Sequence, residues 1–153
     1  MKMIQDSIVV RQRHERFIKK ICEMETVIGL ESEDGFATSS SNNYEDENKN
    51  PISMICFWSE KALARACSKD GWKNYTPTEI PLSEFLENWC VGMDNDGLLL
   101  GTNFDQNMFG HEIEPLDLIL EITAELKSSG KKLELQKFEN IEDLEKQVKA
   151  ILE

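Results

Sequence analysis

His14 and His111 are the only imidazoles in this 153-residue chain, and Cys22, Cys56, Cys67 and Cys90 are its only thiols. Nucleophilic catalysis needs a thiol or hydroxyl within hydrogen-bond reach of a base. A hydrolase or transferase would therefore use a cysteine or a carboxylate with His111, which stands in Gly110-His111-Glu112 ahead of a predicted helix. His14 falls on a charged helical face, where solvation is expected. No cysteine occupies a Gly-x-Ser/Cys-x-Gly turn or a helix start beside fixed positive charge. The cysteines lie 34, 11 and 23 residues apart with no C-x-x-C pair, so the zinc and redox spacings are missing. They read as small buried hydrophobes in a reducing compartment.

Asp94-Asn95-Asp96-Gly97 has a calcium-loop flavour, but the first ligand position would be Gly92 and the twelfth Asn103, leaving no bidentate glutamate. The phosphate-loop, dinucleotide and H-E-x-x-H signatures are also lacking. No cofactor, no metal and no catalytic residue is assigned. With 29 acidic side chains, the presence of paired carboxylates distinguishes nothing.

The aromatics are more informative. Trp58 precedes a helix cap and Trp89 closes a short helix, and both are expected as core or lid residues. Trp72 and Tyr75 fall in an irregular stretch flanked by Asp70, Lys73 and Asn74, where they pin the segment to the body or anchor an interface. Charge bears on the choice. The chain has 17 basic and 29 acidic residues, net −12, and residues 26–126 alone carry net −14. Such a body repels a phosphate backbone, which excludes nucleic acid as a partner. It can steer a basic protein into place, although a solubility surplus is the simpler account of charge alone. Trp72, Tyr75, Asp94 and Asp96 are the candidate partner-binding residues.

The elements that must position these residues follow from periodicity. Residues 7–24 read as a basic amphipathic helix with Ile8, Val9, Gln12, Phe17, Ile18, Ile21 and Cys22 inward. Thr26–Glu31 and Phe36–Ser39, joined by Glu33-Asp34-Gly35, predict a hairpin. The polar tract 39–51 is expected to be a mobile loop insertion. Ile52–Phe57 predicts a central strand, and Ser59 a cap for a helix over Glu60–Ser68. After the irregular 72–81 stretch, Ser83 would cap a short helix bearing Phe85, Leu86 and Trp89. Gly92–Gly97 turns the chain into a strand over Leu98–Thr102. Residues 115–128 predict the best helix, Leu133 and Leu135 a short final strand, and Asn140 the cap of a terminal helix.

At this length one domain is expected. Residues 1–130 form it, with the polar insertion at 39–51, and 131–153 add a strand and helix packed on the same body. Three early strands favour α+β with a small, mostly antiparallel sheet over a doubly wound fold. Met1–Lys20 mixes charges among its apolar residues and no 18-residue apolar run exists, so a cytoplasmic, membrane-free protein is expected.

One set of motifs carries a resemblance. Gly29-Leu30, Asp34-Gly35-Phe36-Ala37, Phe57-Trp58-Ser59-Glu60, the block from Trp72 through Tyr75, Pro77, Glu79-Ile80-Pro81-Leu82 and Glu84-Phe85-Leu86 to Trp89, and Asp96-Gly97 with Leu99 resemble the bacterial family called domain of unknown function 2750. The likeness covers roughly 14–125; Ile28 and Phe36 stand where Trp is common. The resemblance implies a small acidic cytosolic α+β protein with no assigned activity. In size and charge such proteins are similar to immunity proteins that neutralise bacterial toxins. A protein-binding module with a basic partner, such as an immunity-type inhibitor docking through residues 70–96, is the leading expectation. The alternative is the small hydrolase or transferase using His111; a homodimer is compatible with either.

Overall fold

The computed structural model describes residues 4–153. The chain runs α1 (Ile4–Met24), β1 (Thr26–Ser32), β2 (Gly35–Phe36), β3 (Thr38–Glu45), β4 (Pro51–Trp58), α2 (Lys61–Ala66), a single 3-10 turn (Asp70–Trp72) and β5 (Thr76–Pro81). A helical segment follows, made of α3 (Leu82–Glu84), a π turn (Phe85–Cys90) and α4 (Val91–Asn95). The chain ends with β6 (Leu99–Thr102), β7 (His111–Ile113), α5 (Pro115–Ser128) and α6 (Ile141–Leu152). This is an α+β fold on one seven-stranded sheet, in which β4 and β6 pair in parallel and the other pairs are antiparallel. Among the described residues no helix is long and apolar enough to cross a membrane.

β4 lies between β3 and β1 on one side and β6 on the other, and its continuous apolar run follows from burial on both faces. Alternation sends Phe57 and Ile55 to one face, with Leu100, Val27 and Ile80, under the helices. Met54, Cys56 and Trp58 go to the other face, with Ile28, Leu30, Leu99 and Phe104. α1 packs on the first face through Val10, His14, Phe17, Ile18, Ile21 and Cys22. That stripe differs from the expected one: Ile8 and Val9 are exposed, and His14 is buried rather than solvated.

Several expectations need correction. The 39–51 tract is no loop. Thr38–Glu45 pairs with β4, Thr38 opposite Ile55, with a bulge after Ser40, and only the turn around Asp46 separates the two strands. Its polarity hid it, since on this edge the strand buries little beyond Ser41. Residues 76–81 form β5, six pairs along β1; Pro77 and Pro81 are tolerated because the strand is an edge. His111 belongs to β7, opposite Thr102, and not to a loop. Ser59 caps nothing: Glu60 precedes α2 without a side-chain cap bond, and Ser59 bonds Asn103. The helix expected at Ser83 starts at Leu82 and runs through Asn95, taking in most of the predicted turn.

Residues 131–140 hold no strand. Leu133, Leu135 and Phe138 lie half-buried on the helical core, while Lys131 ties the segment to the end of α1 and Lys137 ties it to Glu87 and Asn88 in the π turn. The alternation of Leu133 and Leu135 is real but meets helices, with no strand edge to pair with. α5 and α6 agree with the expectation, including Asn140, whose side chain accepts from the Asp143 N–H at 2.8 Å.

Gly110 is required by the ring of Phe104. A Cβ on Gly110 would stand 2.1 Å from Phe104 Cδ1, and that ring is 2 % exposed with no room to retreat. Gly110→Ala should cost about 1–3 kcal/mol by overpacking. Denaturant unfolding of the full chain checks this; a loss under about 0.5 kcal/mol would mean that the ring moves freely.

Candidate functional site

Thr102 and His111 are cross-strand partners, so both side chains leave the sheet on the face that carries α1 and α5. His14 of α1 meets them there. Its Nδ1 lies 2.7 Å from Thr102 Oγ1 and its Nε2 lies 2.6 Å from Glu121 Oε1 of α5. Its ring centroid is 4.0 Å from that of His111, at 35°. Hydroxyl, imidazole and carboxylate in line are the components of an acyl-transfer triad. Their burial runs the wrong way for one. Thr102 is 0 % exposed, so its hydroxyl cannot meet a substrate, while the Glu121 side chain, which would orient the base, is 45 % exposed. The cluster ties α1, β6 and α5 together.

Burial pushes the Glu121 carboxyl up, but the hydrogen bond and charge of His14, helped by His111, outweigh it and hold the group below its ordinary value. The sign is that of a carboxylate stabilising the fold when ionised. Sequence reasoning missed His14 by counting the charges around it. The signal was available in spacing, since Val10, His14, Phe17, Ile18 and Ile21 recur at helical intervals.

The thiols do not supply a nucleophile. All four are buried, and burial raises each one's pKa, Cys22 to about 12. Cys22 Sγ faces Ile122 O and Cys67 Sγ faces Phe104 O, as packed small hydrophobes do.

Trp72 and Tyr75 are half-buried against the second core. Trp72 meets Trp58 edge-on at 6.1 Å, and Ser68 Oγ reaches the carbonyls of both Trp72 and Tyr75, at 3.2 and 2.7 Å. Asp94 and Asp96 are exposed where α4 ends. Asp96 borders a shallow slot of ≈ 250 Å³ with Ile55, Trp89, Met93 and Leu98, whereas Trp72 borders a separate depression beside Cys67 and Met108. The π turn buries Phe85, Leu86 and Cys90 and leaves Trp89 half-exposed, edge-on to Phe36 at 4.5 Å and Phe57 at 5.6 Å. Sequence reasoning did not single out Trp89 as a surface residue, because periodicity assumes 3.6 residues per turn and a π turn breaks that count. Among the described residues no group of three or more His, Cys, Asp or Glu could hold a metal ion.

Residues 14–122 match the family model described as protein of unknown function (DUF2750). No curated protein matches the chain. Among solved structures, Anabaena Tic22 (protein transport) is similar at 17% identity and a TM-score of 0.34, over 81% of this chain and 57% of that one. The chain thus spans a little over half the length of that neighbour, and a likeness so loose carries no functional argument.

The His14–Glu121 contact sets a pH dependence. Its stabilisation is full above the ordinary carboxyl value of 4.5 and disappears as pH falls through the depressed value of the folded state. Wild type should therefore melt higher than Glu121→Gln at about pH 6, with the gap closing below about pH 4.5. Melting curves that stay parallel down to the acid transition would contradict the assignment.

Proposed function

Because this chain belongs to the DUF2750 family, whose description assigns no activity, the function must come from the site, and we propose a protein-binding module that receives a basic partner at the Trp89 slot. One observation carries the reading: the slot has an apolar floor of Ile55, Trp89, Met93 and Leu98, and Asp96 is the only charged residue lining it among the described residues. Asp94 is exposed two residues before it, and neither carboxylate has an ion-pair partner among the described residues. Several of the chain's own cations are committed elsewhere, Arg13 to Asp105, Arg16 to Glu60, Lys61 to Glu79 and Lys131 to Glu25. Lys137 approaches the slot but ends on Asn88 Oδ1, at 2.5 Å.

An apolar floor with an acidic rim suits a lysine or arginine, whose aliphatic stem lies on the floor while its head reaches the carboxylates. A half-buried Trp is a common anchor of such contacts. The net charge of −12 adds long-range steering toward a basic surface. An immunity-type inhibitor that occludes a basic toxin is the specific form suggested by size and charge. Four unpaired buried thiols suit action in the reducing cytoplasm. In this reading Trp72 and Tyr75 brace the segment entering β5, and the carboxylates meet the partner.

Affinity capture from the native host with wild type, Asp94→Asn/Asp96→Asn and Trp72→Ala tests the proposal. The expected result is a basic protein retained by wild type and Trp72→Ala, with recovery falling about tenfold for the double carboxylate variant and with added salt. Equal recovery by all three forms, or a partner without basic character, would overturn it.

A further inference from the structure

A cleft of ≈ 510 Å³, separate from the slot, lies between α1, the end of β3 and the connection from β6 to β7. Asp105 shapes that connection. Its Oδ1 accepts from the N–H groups of Asn107 and Phe109, at 2.9 and 3.1 Å, and its Oδ2 pairs with Arg13 Nη1 at 3.1 Å. The clamped loop leaves the Phe109 ring 56 % exposed on the cleft lining, which it shares with Val9, itself 47 % exposed, and with buried Val10. Contiguous exposed apolar surface beside a concavity is a feature of ligand-binding grooves.

Glu112 supplies the polar end. It is 6 % exposed, and its carboxylate accepts the Ser41 hydroxyl through Oε1 and the Asn42 N–H through Oε2, the latter at 2.9 Å. These bonds hold the group in place without cancelling its charge. Arg13, the only cation among the described residues lining the cleft, is already paired with Asp105, so among these residues one carboxylate is left uncompensated. A buried carboxylate lacking a counter-charge is costly, and a cation arriving from solution would offset that cost.

We propose that this cleft binds an organic amine with an apolar body, the ammonium against Glu112 and the body between Val9, Val10 and the ring of Phe109. The volume lies within the range of about 300–1,000 Å³ common for small-ligand sites. An anionic ligand is disfavoured by the residual charge of the cleft and by the net charge of −12. The proposal is independent of the Trp89 slot.

Titration of the full chain with phenethylamine and, separately, phenethyl alcohol, followed by amide NMR near neutral pH, tests it. The amine should give saturable shifts confined to residues 9–13, 41–43 and 105–112, with the neutral alcohol at least about tenfold weaker. Glu112→Gln should weaken the amine about tenfold. Phe109→Ala, which alters an exposed ring, should also weaken it while leaving the fold intact, and so separates loss of the site from loss of structure. Equal affinity for amine and alcohol, shifts scattered over the acidic surface, or undiminished binding by both variants would overturn the proposal.

Discussion

At the end of β6 the backbone passes through Asn103 at a φ of 46°, a left-handed conformation that a side chain keeps only where its surroundings hold it. They do so from three directions. The Asn103 N–H donates to Phe57 O at 3.0 Å, its Oδ1 accepts the Ser59 N–H at 2.9 Å, and its Nδ2 donates to Arg13 O at 3.2 Å. One residue thus joins the end of β4, the start of the crossover and the middle of α1. The next carbonyl, that of Phe104, accepts the Trp58 indole N–H at 2.9 Å. A parallel pair such as β4 and β6 has no hairpin turn to set its register, so these side-chain bonds do that work.

The parallel pairing also determines where the slot and the cleft lie. Parallel neighbours need a long crossover, and residues 59–98 are that connection, carrying α2, β5, the π turn and α4. The Trp89 slot is built where the crossover returns to the sheet, so Ile55 of β4 and Leu98 before β6 supply its floor. The shorter connection from β6 to β7 forms one wall of the Glu112 cleft. Between α1 and the sheet, the Asn103 bond to Arg13 O and the His14 contacts hold adjacent residues of one helix turn, which fixes Arg13 toward the cleft and His14 toward the interior. The wall of the cleft formed by Arg13 therefore depends on these buried hydrogen bonds, and the floor of the slot on the pairing of β4 with β6.

Elements with a strong apolar period were legible in the sequence: α1, the first hairpin strand, β4, β6, α5 and α6. What escaped had its stabilising partner far along the chain. β3 is polar, and its Ser41 and Asn42 bond a carboxylate about seventy residues away. β5 contains two prolines and exists because β1 offers an edge. β7 is three residues long and was hidden by the glycine before it. The candidate site was legible in part. Asp94 and Asp96 are exposed; Trp89 shares the slot with Asp96, while Trp72 borders a separate depression. Charge counting assigned His14 to solvent because the deciding contacts, Thr102 and Glu121, are tertiary.

The Trp89 slot is the proposed recognition surface, and the polar cluster around His14 ties α1, β6 and α5 together. Amide hydrogen exchange of the chain alone and saturated with its captured basic partner addresses this most directly. Binding at the slot should slow exchange in residues 88–98 and leave the segments around His14 and Glu121 unchanged. Protection centred on His14, His111 and Glu121, with the slot exchanging at its free rate, would contradict it.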